Sequence, residues 1–146
     1  MVDQKREAQL RDAIENFYFA YRAFTARPDR ILEQRGLGRV HHRILYFVGR
    51  QSGLSVNELL ATLGVSKQAL NAPLRQLIEM KLVATSTASH DKRVKQLSLT
   101  DAGKKLETQL TQTQMKHLHD VFDEHGSKAE RAWLAMMKSM PSSQEK

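Results

Sequence analysis

The chain has 146 residues, a size that suits one domain with a substantial core, and 23 Lys and Arg against 16 Asp and Glu give a formal charge of +7. The chain has no cysteine, so a disulfide, a thiolate metal site and a thiol sensor are excluded. It also has no signal peptide and no apolar run near ~18 residues, so it is predicted to be cytoplasmic, with no membrane partner. Eight basic but only three acidic residues fall between residues 64 and 105, a difference of +5 that favours a nucleic-acid partner.

The first predicted helix runs from about Gln4 to Ala26 and is rich in aromatic residues. Its apolar face carries Leu10, Ile14, Phe17, Tyr18, Tyr21 and Phe24. Packing in the core or in a dimer explains this face more simply than a ligand pocket does. Arg27-Pro28 should end the helix, because proline disfavours the helical conformation in the residue before it. A short helix from Asp29 to Arg35 should follow, and a second long helix should run from Arg39 to Gln51.

A helix-turn-helix is predicted from Ser55 onward. Ser55 and Glu58 have the spacing of a capping box, Gly64 suits the left-handed residue after a helix, and Ser66 can cap the next helix. Two short helices joined by a tight turn that contains glycine are typical of this motif.

The second helix of the motif separates apolar from polar residues. Leu70, Leu74, Leu77 and Ile78 should be buried, whereas Gln68, Ala72 and Arg75 point the other way, with Asn71 and Gln76 on the flanks. Gln and Asn can pair with adenine, Arg with guanine, and Ala can contact a thymine methyl group. An ordinary solvated helix face is the alternative interpretation.

Pro73 lies in the middle of this helix, where it cannot donate a hydrogen bond to the carbonyl of Ala69. Either the helix ends near Ala72 and a new one starts, or it is continuous and kinked. The continuous, kinked helix is favoured because the apolar residues keep helical register through the proline.

A basic hairpin should follow the helix-turn-helix. Residues 82–87 and 94–100 have strand character, and the polar turn between them contains Asp91-Lys92-Arg93. A helix-turn-helix followed by a two-stranded ribbon is a winged helix. Its second helix would enter a major groove, while the wing reaches phosphates or the minor groove.

The C-terminal part is predicted to be two helices. Thr100 can cap a long helix that reaches about Glu124, Gly126 ends it, and Ser127 with Glu130 has capping-box spacing for the last helix. A helix this long cannot bury its full length in so small a domain. Together with the first helix, its simplest partner is the same pair in a second copy, which gives a two-fold dimer.

The run from Asp91 to Gly103 resembles the D-x-R-x-x-x-(apolar)-x-L-T-x-x-G wing signature of the MarR family of bacterial transcriptional regulators. Residues 59–66 and 77–83 resemble the helix-turn-helix of that family, and the similarity covers most of the chain. It implies a mainly α (α+β) fold and a single domain over 1–146, with a DNA-binding lobe at about 37–100. Dimerisation helices would occupy about 4–36 and 101–140.

The resemblance also implies an obligate dimer that is often released from DNA by a small ligand. In such proteins a ligand cavity lies between the dimer helices and the DNA-binding lobe, and the candidate lining residues here are Tyr18, Tyr21, His41 and His42. For each of them, an ordinary surface or hydrogen-bonding role is the alternative. The candidate DNA contacts are Ser66, Lys67, Gln68, Asn71, Ala72, Arg75, Lys92, Arg93 and Lys95.

Metal and enzyme functions have little support in the sequence. His117, His119 and His125 form no complete ligand set for a zinc ion, since histidines two apart on a helix point away from each other. No phosphate-binding glycine loop, H-E-x-x-H motif or cysteine nucleophile is present, so neither a cofactor nor an enzyme activity is predicted.

The sequence therefore predicts a homodimeric, sequence-specific regulator, a repressor rather than an activator, acting on a palindromic operator. Its partners would be double-stranded DNA, a second copy and a small-molecule effector. A non-regulatory winged-helix protein, either an architectural DNA-coating protein or a protein–protein interaction module, is the competing hypothesis.

Overall fold

Helices make up most of residues 3–144, the part of the chain that this computed structural model describes. In that range the helices are α1 (Gln4–Glu33), α2 (Arg39–Arg50), α3 (Val56–Leu63), α4 (Lys67–Glu79), α5 (Asp101–His125) and α6 (Ser127–Gln144). The strands are β1 (Leu54–Ser55), β2 (Val83–Thr87) and β3 (Lys95–Leu99). The predicted class, mainly α with a winged helix-turn-helix, is confirmed.

The three strands form one antiparallel sheet in the order β1-β3-β2. Strands β2 and β3 make the predicted hairpin, with Val83 opposite Leu99 and Thr87 opposite Lys95. Strand β1 was not predicted, and it pairs Leu54 with Leu97. Two residues are too few to show the alternation of a strand, so this pairing depends on where β3 lies rather than on local sequence.

The helix break predicted at Arg27-Pro28 is wrong. Helix α1 runs without interruption from Gln4 to Glu33, with Pro28 inside it. Thr25, Pro28 and Leu32 are the buried residues of α1, and all three lie in its last third. The tertiary packing of this segment therefore outweighs the missing hydrogen bond and the crowding by the proline ring, and the separate helix from Asp29 to Arg35 does not exist.

The predicted ends of α3 and α4 are confirmed. Ser55 Oγ accepts from the Glu58 amide at 3.1 Å while Glu58 Oε1 accepts from the Ser55 amide at 3.0 Å. Gly64 closes α3 at a φ of +65°, and Ser66 caps α4. Helix α4 continues through Pro73 to Glu79, so the interpretation that it ends near Ala72 is wrong.

The start of α5 is as predicted, but the start of α6 is not. Thr100 Oγ1 accepts from the Gly103 amide at 3.0 Å and caps α5. Ser127 already lies inside α6, and the first helical hydrogen bond there joins the Glu130 amide to the Gly126 carbonyl. The predicted capping box of Ser127 and Glu130 is therefore wrong, because Gly126 holds the position before the helix.

The core lies around α2 and the sheet. Its fully buried side chains include Leu32, Ile44, Leu45, Leu59, Leu70, Leu77, Leu82, Leu97, Leu106 and Leu110. Residues 4–23 of α1 are all exposed, and the buried residues of α5 stop at Leu110. None of the helices described is both long and apolar enough to span a membrane.

Candidate nucleic-acid interface and adjoining cavity

Helix α4 turns its apolar side to the core and leaves a polar side at the surface. Leu70, Leu74 and Leu77 are its buried residues. Six of the candidate DNA contacts lie at its start or along its exposed side: Ser66, Lys67, Gln68, Asn71, Ala72 and Arg75. Ser66 also has a structural role, since its Oγ accepts from the Ala69 amide at 3.1 Å. The exposed side of α4 thus carries side chains that can hydrogen-bond to base edges.

Gln76 differs from its neighbours on α4, because its side chain bonds within the protein. It is half-buried, and its Oε1 lies 2.9 Å from His41 Nε2 on α2. Its Nε2 also donates to the Gly36 carbonyl at 3.4 Å. The flanking position assigned to Gln76 by the helical pattern is therefore a contact to α2 and to the loop before it.

The turn of the hairpin presents Lys92 and Arg93, and Lys95 follows at the start of β3; all three are exposed. Three hydrogen bonds join Asp91 to Arg93. Asp91 Oδ1 accepts from the Arg93 backbone amide and from Arg93 Nε, and Asp91 Oδ2 accepts from Arg93 Nη2 at 3.1 Å. These bonds lower the pKa of the Asp91 carboxyl. The Arg93 side chain is nevertheless 91% exposed, so Asp91 restricts its direction without covering it.

A cavity of about 340 Å³ lies between α1, α2 and α5. Its apolar lining consists of Phe24, Pro28, Tyr46, Phe47, Met115 and Leu118. Its polar lining consists of Tyr21, Thr25, Asp29, Arg39, His42, Arg43, Thr111 and Gln114. The cavity therefore combines aromatic and aliphatic side chains with polar residues that include two guanidinium groups.

Tyr21 connects both arginines of the cavity. Arg43 donates from Nη2 to the Tyr21 hydroxyl at 2.8 Å, and the Arg39 guanidinium carbon lies 5.4 Å from the Tyr21 ring centre. Arg39 also pairs with Asp29 at 2.8 Å, and this carboxylate raises the pKa of Arg39. Among residues 3–144, Arg43 has no such carboxylate partner, so its charge is the one left unneutralised at the cavity.

His42 lies on the inner wall of the cavity. Burial lowers the pKa of its imidazole, and the carboxylates of Glu107 and Asp29 oppose that effect only in part. The buried ring therefore favours its neutral form. His42 Nε2 lies 3.4 Å from Thr111 Oγ1, and the Thr111 hydroxyl in turn donates to Glu107.

Two comparisons identify the family. A MarR family model matches residues 35–94. The HTH-type transcriptional regulator PetP of Rhodobacter capsulatus is 42% identical over 134 residues, which cover 92% of this chain and 81% of PetP. The chain belongs to the MarR family of transcriptional regulators. The resemblance inferred from the wing and helix-turn-helix residues is thereby confirmed.

Solved structures agree with the MarR fold. A MarR protein from Peptoclostridium difficile has a TM-score of 0.77 at 18% identity, covering 92% of this chain and 88% of that one. The S. aureus MepR–DNA complex has a TM-score of 0.68 at 23% identity, with 88% of this chain and 96% of that one covered. At these identities the likeness shows the fold alone.

The structure brings together only two of the four candidate ligand residues of this MarR protein. Tyr21 and His42 line the cavity. His41 does not, because its ring points to Gln76 on α4. Tyr18 does not either; its ring contacts Phe19 at 5.4 Å, and the Arg22 guanidinium lies 5.8 Å from its centre. The resemblance to the family indicated the helices that border such a cavity but not which way each ring points.

Several residues at these sites were not predicted from the sequence. The D-x-R spacing could have paired Asp91 with Arg93, because two residues apart in a turn is within reach of both carboxylate oxygens. Gln76, Arg43 and Thr111 carry no comparable local signal, since their partners come from other helices.

The three histidines considered for zinc do not form part of a metal cluster. Within residues 3–144, no group of three or more His, Cys, Asp and Glu side chains is placed to hold an ion. His117 instead lies beside Phe24, with ring centres 6.5 Å apart. The MarR family is one of transcription regulators, not of enzymes.

Proposed function

We propose that this MarR-family regulator is a homodimeric repressor that binds a palindromic operator and is released by a small effector. One observation carries the DNA-binding part: an exposed helix face with Gln68, Asn71 and Arg75 accompanies an exposed basic wing with Lys92 and Arg93. The first set offers donors and acceptors for base edges, and the second offers charge for phosphates or a minor groove.

The charge distribution supports contact with DNA over a protein–protein role for this lobe. Residues 64–105 carry five of the seven net positive charges of the chain. One of the three carboxylates there, Asp91, is bonded to Arg93. MepR, which shares the fold, has been solved bound to DNA. A positive surface of this kind attracts DNA at physiological salt through release of counterions.

The dimer is supported by apolar side chains that the single chain leaves uncovered. On α1 these are Leu10, Ile14, Phe17, Tyr18 and Phe19, and on α5 and α6 they are Met115, Val121, Trp133, Leu134 and Met136. Exposed apolar surface on several helices marks an association site. A second copy of the same chain covers such a surface by two-fold symmetry, which also gives the two DNA-binding lobes that a palindrome requires.

Repression follows from simple occupancy, since a dimer bound over a promoter blocks polymerase without any activating contact. The cavity between α1, α2 and α5 supports effector control. Its aromatic lining with the unneutralised Arg43 suits a small aromatic anion, which would compete with the Arg43–Tyr21 hydrogen bond.

Selection of bound sequences from random DNA tests the proposal directly. We expect enrichment of one imperfect palindrome with half-sites about 10 bp apart. Footprinting at the selected site should show one dimer per site. Comparable binding to all sequences would instead establish an architectural DNA-coating protein, and negligible binding at physiological salt would establish an interaction module. Transcription from a promoter that contains the selected site should fall when the protein is added; a rise would refute repression.

The dimer is tested by sedimentation of the Ile14→Glu variant. Ile14 is 69% exposed in the single chain, so a charge there costs a monomer little but would be buried in the dimer. We expect the variant to be monomeric and to lose operator binding, while Glu15→Gln, the exposed neighbour, stays dimeric. A monomeric wild-type protein would refute the dimer.

Effector binding is tested with simple aromatic carboxylates in calorimetry and in operator release. Arg43→Gln removes the charge and keeps a polar side chain at the same position. We expect it to weaken carboxylate binding and to leave operator binding of the free protein unchanged. Equal binding of the wild type to the carboxylates and to their neutral amides would refute a role for charge.

A further inference from the structure

Helix α2 begins with two adjacent buried histidines whose rings point to different parts of the protein. His42 faces Thr111 on α5 and the cavity. His41 faces α4 and approaches Gln76 Oε1 at 2.9 Å. Consecutive residues on a helix lie about 100° apart around the axis, so two adjacent residues of α2 can contact different helices. The His41 contact is used neither by the cavity nor by the exposed DNA-contacting residues of α4.

The hydrogen bonds determine which tautomer His41 adopts. The Gly38 backbone amide donates to His41 Nδ1 at 2.9 Å, so this nitrogen carries no proton. In a neutral imidazole the proton then lies on Nε2, which donates to Gln76 Oε1. The amide nitrogen of Gln76 is free to donate to the Gly36 carbonyl at 3.4 Å, as the structure shows. Both ring nitrogens of His41 and both polar side-chain atoms of Gln76 therefore have a partner within the protein.

The position of Gln76 makes this chain of bonds relevant to DNA. Gln76 directly follows Arg75, a candidate base contact, and lies within the same helix as Gln68 and Asn71. The buried side chains Leu70, Leu74 and Leu77 hold α4 on the core, but apolar packing is not directional. A hydrogen bond with a defined angle restricts rotation of a helix about its own axis more closely. Such a rotation would move Gln68, Asn71 and Arg75 together.

We propose that His41 is a positioning residue of the recognition helix: through Nε2–H and Gln76 it sets the rotation of α4 against α2. The proposal rests on the proposed DNA-binding function and adds to it a residue that does not touch DNA. It predicts that the His41–Gln76 bond affects discrimination between DNA sequences more than attraction to DNA in general, because phosphate contacts tolerate a small rotation better than bidentate base contacts do.

Two substitutions differ in whether the bond to Gln76 is kept. In His41→Asn, the side-chain oxygen takes the place of Nδ1 and accepts from Gly38, but the shorter side chain does not reach Gln76. In His41→Gln, the amide nitrogen takes the place of Nε2 and donates to Gln76, while the side-chain oxygen can still accept from the Gly38 amide, as in a capping box. The two variants are nearly matched in polarity and volume, so they differ chiefly in the bond to Gln76.

The measurements are affinity for the selected operator, affinity for random DNA and the thermal midpoint of the full-length protein. For His41→Asn we expect about tenfold weaker operator binding, with random-DNA affinity within about twofold of the wild type. For His41→Gln we expect operator affinity within about threefold of the wild type. Recovery of operator affinity in His41→Gln, beside a His41→Asn variant that also keeps the bond to Gly38, is a result that a role confined to the start of α2 would not produce.

Gln76→Met removes the same bond from the side of α4, together with the 3.4 Å bond to the Gly36 carbonyl, and leaves the His41–Gly38 bond in place. It should lower operator affinity at least as far as His41→Asn does, and the double variant should lose no more than Gln76→Met alone, since these two lack the same bonds. A loss in Gln76→Met without any loss in His41→Asn would show that Gln76 itself reads DNA, and would overturn the proposal.

Two further outcomes would overturn the inference. One is operator preference unchanged in His41→Asn. The other is a loss of affinity in both histidine variants that follows their loss of stability. A wild-type protein that prefers no DNA sequence would refute the proposed function, and the inference with it. If His41→Asn and Gln76→Met both keep the sequence preference of the wild type, the inference alone is refuted.

Discussion

Gly103 lies against the backbone of Leu82: a Cβ built on Gly103 would be 2.0 Å from the Leu82 carbonyl oxygen. Gly103 is in the first turn of α5, where its amide donates to the capping Thr100 hydroxyl. Thr100 also donates to the Lys81 carbonyl at 2.7 Å, so the start of α5 is bonded to the segment that leads from α4 into the wing. The glycine that ends the wing signature thus permits close contact between α5 and the start of the hairpin.

Gly103→Ala should therefore destabilise the protein severely. No real Cβ lies so close to a carbonyl oxygen, and the obstacle is backbone that cannot rotate away, so α5 or the 80–82 segment must shift. We expect a loss of about 2–4 kcal/mol in the free energy of unfolding, measured by urea denaturation. Thr108→Ala, at an exposed position of the same helix, should change it by no more than about 0.5 kcal/mol. Equal stability of the two variants would contradict the close approach.

Arg93→Ala should weaken binding to most DNA sequences. The exposed guanidinium is held outward by Asp91, so it is expected to contact phosphate or a minor groove. Removing one phosphate contact per subunit should reduce the slope of log affinity against log salt by about 0.9 for each phosphate that is no longer neutralised. The control is Lys116→Ala, which removes the same charge from α5 outside the wing. If Arg93 reads a minor groove instead, the preference of the variant for A·T pairs should also be lower than that of the wild type. Identical salt slopes for wild type and Arg93→Ala would refute the phosphate contact.

Gln68→Ala and Asn71→Ala should relax preference at particular base pairs. Both residues are exposed on α4 and can bond adenine with two hydrogen bonds each. Each variant should lose about 1–3 kcal/mol of discrimination at one position of the half-site, measured by repeating the selection from random DNA. Gln34→Ala, an exposed glutamine after α1, serves as the control. Equal reductions of affinity on operator and random DNA would contradict base reading by Gln68 or Asn71.

Pro73→Ala should raise stability and change DNA recognition. Helix α4 is continuous through Pro73, so alanine can restore the missing bond to the Ala69 carbonyl. An interior proline costs about 3 kcal/mol, of which about 0.4–1 kcal/mol is offset by its restriction of the unfolded chain. Pro28→Ala in α1 is the matched control, expected to leave operator preference unchanged. Higher stability with unchanged preference would show that Pro73 has no role in recognition, and lower stability would contradict the kink predicted at Pro73.

His42 should make stability depend on pH below about neutrality. Burial lowers its pKa from the ordinary value of 6.5, so the unfolded chain binds a proton at a higher pH than the folded one. Stability is therefore fully present above 6.5 and falls as pH drops from 6.5 towards the lowered pKa. His42→Gln should remove that part of the dependence, whereas Thr111→Val, which keeps the imidazole, should retain it. Thermal midpoints between pH 5 and 8 measure the effect. If the midpoint of His42→Gln varies with pH as that of the wild type does, His42 is not the group responsible.

The sequence by itself determined the features that depend on residues close together in the chain. The Ser55–Glu58 capping box, the Ser66 and Thr100 caps, the left-handed Gly64 and the apolar register of α4 all arise within one or two helical turns. The hairpin is also local, because its strands are neighbours and alternate in burial near Leu97 and Leu99. These signals were sufficient to predict the winged helix-turn-helix and the exposed side of α4.

Only the tertiary structure decided the features that depend on distant partners. Helix α1 passes through Pro28 because Pro28 itself, Thr25 and Leu32 are buried against the rest of the protein, although local preference favours a break. His41 and His42 are adjacent, yet their partners lie 35 and 69 residues away, so no periodicity distinguishes a ring that holds α4 from one that lines a cavity. Backbone preferences act over a few residues, whereas the direction of a buried ring is set by whichever donor or acceptor packing brings within about 3 Å.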